Sequence, residues 1–177
     1  TKQHTQGFFD IQTPDGSVDP SGLVKGWAIQ RVAELLRSRG HENFYVEAGG
    51  DIQTSGKNAE GKEWRIGIRN PLDRAQIVKV VYPRGKGIAT SGTAIRGAHI
   101  YDPHAKRSVR SDIASLTVIG PNVYDADRFA TAAFAMGERG LGFIEGLDGF
   151  EAYAVDGTGI ATMTNGFEQY TYDKNDR

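Results

Sequence analysis

The sequence predicts an α+β fold, a mainly antiparallel sheet packed with two or more helices. Three observations lead there. Short runs of apolar alternation recur between Gly, Pro and Asn punctuation. These runs follow one another through short, hairpin-like links, which favours antiparallel neighbours. Two longer segments carry apolar or small residues at helical spacing instead. A chain of 177 residues suits one domain with a real core.

The elements follow in order. Residues 1–22 are turn-rich. LVKGWAIQRVAELLRSRG (23–40) places Leu23, Trp27, Val32, Leu35 and Leu36 at helical spacing. Ser21 is its expected N-cap and Gly40 its C′ glycine. A strand at about 43–48 runs into the Gly49-Gly50 turn. EWRIGIRNP points Trp64, Ile66 and Ile68 inward and ends at Asn-Pro, and AQIVKVVYP (75–83) is its expected hairpin partner. GIATSGTAIRGAHIYDPH (87–104) reads as strand, glycine turn and strand, and SLTVIGP (115–121) as a strand. Residues 123–137 and about 138–146 are helical, 150–167 form a closing hairpin, and TYDKNDR is a frayed tail.

Composition narrows the function. Net charge is −1 with 24% charged residues, which supplies no basic stripe for nucleic acid. No apolar run reaches eighteen residues, so no transmembrane segment is expected in this chain. The chain has no cysteine, which removes disulfides, thiolate catalysis and cysteine-bound zinc. No GxxxxGK[ST] or post-strand GxGxxG occurs, so the common nucleotide folds have no support.

Four constellations carry chemistry. In YDADRFATAAFAMG (124–137), Asp127 and Thr131 lie one turn apart on a face shared with Ala130 and Phe134. Two hard oxygens there suit Mg²⁺. The competing reading is an acid favoured by the helix dipole, with a threonine bonded to the preceding turn. Asn122 and Asp125 already fill the cap roles, which puts Asp127 beyond most of that benefit. In GAHIYDPH (97–104), His99 and Asp102 suit a general base with an orienting carboxylate, or an ordinary strand histidine and an Asp-Pro turn. His41 and His104 read as surface residues. In SGLVKGWA (21–28), a glycine-bearing turn opens a helix with Lys25 in its first turn. That arrangement either receives an anion or leaves the lysine in solvent. AGGD (48–51) and ATSG (89–92) read as small-residue turns where a ligand can meet backbone.

Taken in order, these motifs resemble a known family. D-x-x-G-x-x-K-G-x-A (Asp19–Ala28), GGD (Gly49–Asp51), TSG (Thr90–Gly92), H-I-x-D-P (His99–Pro103) and A-D-x-x-A-T-A (Ala126–Ala132) resemble the bacterial FAD:protein FMN transferases, the ApbE-type flavin transferases. GFFD (7–10) resembles a further stretch, so the likeness runs from about residue 7 to 165. The resemblance implies an ApbE-like fold related to the T-fold, covering 1–177 as a single domain. It implies Mg²⁺ on Asp127 and Thr131, with a backbone carbonyl near Val24. It implies a flavin cleft lined by Asp19, Ser21, Gly22, Lys25, Gly26, Gly49, Gly50, Asp51, Thr90, Ser91, Gly92, His99 and Ile100. His99, with Asp102, would be the proton-transfer group. The implied reaction moves FMN from FAD to a Thr or Ser hydroxyl of an acceptor flavoprotein and releases AMP. The alternatives are an FAD pyrophosphatase on the same site and a flavin-binding module without turnover.

Two departures stand out. The family's T-G-x-P after H-I-x-D-P is replaced by His104-Ala105-Lys106-Arg107. The family's N-terminal segment, with an M-G-T-like motif, has no counterpart, so a trimmed portion of a longer protein is expected. Localisation, cytoplasmic or membrane-anchored outside the cytoplasm, stays open on the same ground.

Overall fold

A computed structural model describes residues 1–13, 16–92 and 112–172, and the backbone of 101–102 and 107–108. The architecture is α+β, as expected. Helix α1 (Ser21–Ser38) is followed by strands β1 (Phe44–Ala48), β2 (Asp51–Ser55), β3 (Ile66–Arg69), β4 (Ile77–Val81) and β5 (Gly87–Gly92). Two-residue strands β6 (Tyr101–Asp102) and β7 (Arg107–Ser108) precede β8 (Ile113–Gly120). Helices α2 (Val123–Ala135) and α3 (Arg139–Glu145), strands β9 (Glu151–Asp156) and β10 (Ala161–Met163), and a 3-10 turn (Phe167–Tyr170) complete it. Among the described residues no helix is long and apolar enough to cross a membrane.

The main sheet has the order β1-β2-β5-β8-β9-β10, every neighbouring pair antiparallel. Because side chains alternate along a strand, its two faces bury different partners. One face carries Ala89, Leu116, Val118, Ala152 and Ala154 against the helices, chiefly Ala126, Phe129, Ala130, Ala133 and Phe134 of α2. The other carries Ile88, Ile119, Tyr153 and Val155 beneath the β3–β4 hairpin and Phe167.

Local signals explain most boundaries. The Asn122 side chain accepts a hydrogen bond from the Asp125 N–H, and its amide donates to the Asp125 carboxylate, which starts α2. Gly40, at φ +83°, ends α1 in a Schellman motif, with His41 N–H bonded to the Leu36 carbonyl and Gly40 N–H to that of Arg37. At its start α1 departs from expectation. Pro20 is the capping residue and Ser21 is the first helical residue, its N–H held by Asp19 Oδ1.

Four further segments differ from expectation. Helix α1 does not bury the apolar stripe its spacing predicted. Gly26, Ile29 and Ala33 are buried, whereas Trp27, Val32 and Leu35 are about half exposed. Gly26 faces inward because α1 lies directly against α2 there, where a Cβ would meet Asp127 and the Val123 carbonyl. Thr90-Ser91-Gly92 is not a turn but part of β5, paired through Gly92↔Ser115 with β8. Strand β2, absent from the sequence expectations, pairs with β1 across the Gly49-Gly50 turn. Both turn glycines have positive φ, as a tight two-residue hairpin requires. Trp64 lies just before β3 rather than in it, its indole N–H donating to the Ser55 carbonyl. Most of the strand and turn expected over 93–104 lies outside the described residues.

Candidate functional site

The site forms where the first turns of α1 meet the first turns of α2, above β2 and β5. Gly26 makes the approach possible. A Cβ at that position would lie 2.7 Å from Asp127 Cβ and 2.8 Å from the Val123 carbonyl oxygen. With hydrogen there instead, the Gly26 N–H donates to Asp127 Oδ2 at 2.8 Å. Gly22 repeats the device one turn earlier. A Cβ there would fall 2.9 Å from the Phe9 ring and 3.1 Å from Thr131 Cγ2.

Asp51 enters from the start of β2 and is 1% exposed. Its Oδ1 accepts from the Thr90 N–H at 3.1 Å, and its Oδ2 meets the Lys25 ammonium at 2.7 Å. Asp127 is 5% exposed and close enough to Asp51 that each carboxylate shifts the other. Burial, and then the charge of Asp51, push Asp127 up to about 7; Lys25 and the Gly26 N–H offset only part of this. Burial also raises Asp51, with Lys25 opposing. Two carboxylates thus lie out of water with one ammonium, which pairs with Asp51 and acts on Asp127 only at longer range, so the cluster is short of positive charge.

Thr131 stands on the next turn of α2. Its hydroxyl lies 3.4 Å from Ser91 Oγ and 3.5 Å from the Gly22 carbonyl oxygen. Four chain segments therefore present oxygens to one place: Asp127 and Thr131 from α2, Gly22 from α1, Ser91 from β5 and Asp51 from β2. The carbonyl beside Thr131 is that of Gly22, two residues before Val24, itself 43% exposed. Among the described residues no group of three or more His, Asp or Glu gathers as a metal cage. The oxygens that could serve a cation here are one carboxylate, one hydroxyl and one carbonyl. Such a sparse set of hard oxygens suits Mg²⁺, which keeps ligand positions for water or phosphate.

Of the residues singled out from sequence, Gly22, Lys25, Gly26, Asp51, Thr90, Ser91, Asp127 and Thr131 come together here. Gly49 and Gly50 form the exposed turn beside them, Gly49 lying near the aliphatic stem of Lys25. Asp19 and Ser21 sit exposed at the opening of α1. Gly92, at the end of β5, packs against the backbone of Ala114 and Ser115. His99, Ile100 and the side chain of Asp102 lie outside the described residues. Sequence reasoning missed the Gly26 N–H as a partner of Asp127. It gave Asp51 a flavin-lining role; in the structure its carboxylate is 1% exposed and meets Lys25 and the Thr90 N–H. The glycine of K-G was the available signal, since a helical glycine is often a point of close approach.

Comparison with known proteins gives a consistent result. Residues 2–154 match the ApbE family. A FAD:protein FMN transferase of Vibrio cholerae is 34% identical over 166 residues, covering 89% of this chain and 48% of the relative. One from Salmonella typhimurium is 30% identical, covering 95% and 52%. The solved structure of flavin transferase ApbE from Vibrio cholerae superposes with a TM-score of 0.78 at 34% identity, over 89% of this chain and 53% of that one. The ApbE protein of Thermotoga maritima gives 0.79 at 26% identity, over 88% and 54%. The chain spans about half the length of the relatives it matches. With most of its length matched to the family and its fold shared with solved members, the chain belongs to the ApbE family.

Proposed function

We propose that this chain carries the metal and pyrophosphate site of an FAD:protein FMN transferase. The observation that carries the reading is buried Asp127, which among the described residues has no salt-bridge partner because the Lys25 ammonium pairs with Asp51, and which has a hydroxyl and a carbonyl alongside. A hard divalent cation on Asp127, Thr131 and the Gly22 carbonyl supplies the missing charge. Bound there, Mg²⁺ would neutralise the FAD pyrophosphate and polarise it for attack. The chain's own groups do the rest. The positive end of the α1 dipole lies at this site and favours an anion such as a phosphate there. The Thr90–Ser91 strand and the Gly49-Gly50 turn border the same space.

The reaction balances simply. The oxygen of an acceptor Thr or Ser attacks the phosphorus that bears riboflavin. The bond from that phosphorus to the bridging oxygen breaks, and AMP leaves with that oxygen. The hydroxyl proton passes to a base, a role for which His99 has the right chemistry near neutral pH. Positioning and charge neutralisation carry most of the catalysis in such a displacement.

The test is incubation with FAD and Mg²⁺, with and without EDTA, beside a threonine-bearing acceptor peptide. EDTA-sensitive AMP release with an FMN mass gain on the peptide is the expected result. AMP release with no mass gain makes the chain an FAD pyrophosphatase. FAD retained through gel filtration with no AMP makes it a binding module.

A further inference from the structure

We propose that Asp51 is a positioning residue whose work is to hold the Lys25 ammonium away from Asp127, leaving Asp127 open to a divalent cation. This rests on the metal reading above and adds a role to a carboxylate that the reading does not use directly.

Lys25 projects from the first turns of α1, and Asp127 is bonded to Gly26, the very next residue. A lysine so placed is the natural counterion for Asp127. Yet among the described residues its ammonium pairs with Asp51, at 2.7 Å, and Asp127 takes a backbone N–H instead. Asp51 can act this way because it is itself fixed. It begins β2, is paired to Ala48 in the hairpin, and is anchored through Oδ1 by the Thr90 N–H of β5. Its second oxygen is thereby aimed at Lys25. The lysine is 24% exposed at its side chain while Asp51 is 1% exposed, so the ammonium is drawn inward by a wholly buried partner. A neutral side chain at position 51 leaves Asp127 as the nearest buried anion. An ammonium paired with Asp127 then competes with any metal for the same oxygens.

This arrangement makes an unusual prediction about pairs of substitutions. Asp51→Asn keeps an acceptor for the Thr90 N–H and should weaken metal binding by about tenfold or more, the range typical of groups that orient a ligand. Lys25→Met removes the competitor and should bind metal at least as tightly as the unmodified chain. The double variant Asp51→Asn/Lys25→Met should regain binding close to the unmodified level. A residue that only supports the fold, or one that ligates directly, cannot be rescued by deleting a neighbouring lysine.

The measurement is Mn²⁺ titration of the whole chain followed by electron paramagnetic resonance of the free ion, with circular dichroism to confirm folding. Equal affinity in Asp51→Asn and the unmodified chain overturns the proposal. So does a double variant as weak as Asp51→Asn, or weaker binding in Lys25→Met alone, which needs no folded Asp51 variant. If the unmodified chain binds no Mn²⁺, the metal reading fails and this role falls with it. That result is distinct from failure of the variants alone.

Discussion

The two faces of the central sheet are built from the same strands and follow opposite rules. Ile52 and Asp51 are consecutive residues of β2. Ile52 packs toward Ile68, Ile88, Ile119 and Phe167, while Asp51 points to the helices and meets Lys25 and Asp127. The hairpin face is closed by apolar contact, including the Tyr153 and Phe167 rings at 5.4 Å between centroids. The helix face accepts buried charge that apolar residues of similar size would make unnecessary. Stability alone does not ask for that. A local rule broken on one face and kept on the other marks where selection has acted for chemistry.

Substitutions on the two faces should therefore fail differently. Phe167→Ala, on the hairpin face, removes a ring with 0% exposure and should cost about 3–5 kcal/mol. Urea unfolding would show the loss, while AMP release per folded molecule stays unchanged. Asp127→Asn should invert that pattern. It keeps an acceptor for the Gly26 N–H and removes one of two crowded carboxylates, so the unfolding midpoint should hold or rise. AMP release should drop by about 100-fold or more, because the cation loses its carboxylate. Unaltered AMP release in this variant would sink the metal assignment.

Gly26→Ala tests the contact between the helices. The added methyl meets Asp127 and the Val123 carbonyl, so α1 must shift outward, at about 1–2 kcal/mol net after the gain in helix propensity. Activity should fall with it, since the Gly22 carbonyl moves away from Thr131. A stable, active Gly26→Ala protein would show that the close approach is dispensable.

The smallest effect is graded with pH. Asp127 is raised to about 7, above its ordinary value of 3.8, so the folded chain keeps a proton there that the unfolded chain releases. Its stabilising contribution is complete below about pH 4 and is lost as pH rises through about 7. Asp51 is shifted the same way. In EDTA, the urea midpoint should decline over that window, and Asp127→Asn should flatten the decline.

Much of the fold was legible because its signals are local. The Asn122–Asp125 cap, the Gly40 terminus and the closing hairpin each depend on residues a few positions apart. Strand β2 escaped because its buried residues, Asp51, Gln53 and Thr54, are polar, which masks the usual alternation. Gln53 is inside because its side-chain carbonyl accepts the Val123 N–H at the start of α2. ATSG looked like a turn for the converse reason. Its residues are small and polar, yet β8 holds it extended from Ala89↔Val118 to Gly92↔Ser115. The motifs placed Asp127, Thr131 and Lys25 in one site before any coordinates. The pairing of Lys25 with Asp51, 26 positions away in another element, left no trace in spacing and needed the assembled structure.

The Gly26–Asp127 hydrogen bond joins residues 101 positions apart. During synthesis, more than two-thirds of this chain must leave the ribosome before that bond can close. On the function proposed above, a divalent ion would find the Asp127 site complete only once α2 has docked against α1. Binding after docking favours the folded state by mass action, through a dependence on the free ligand concentration. On that function, free magnesium would add to the stability of the docked helices as well as to the chemistry.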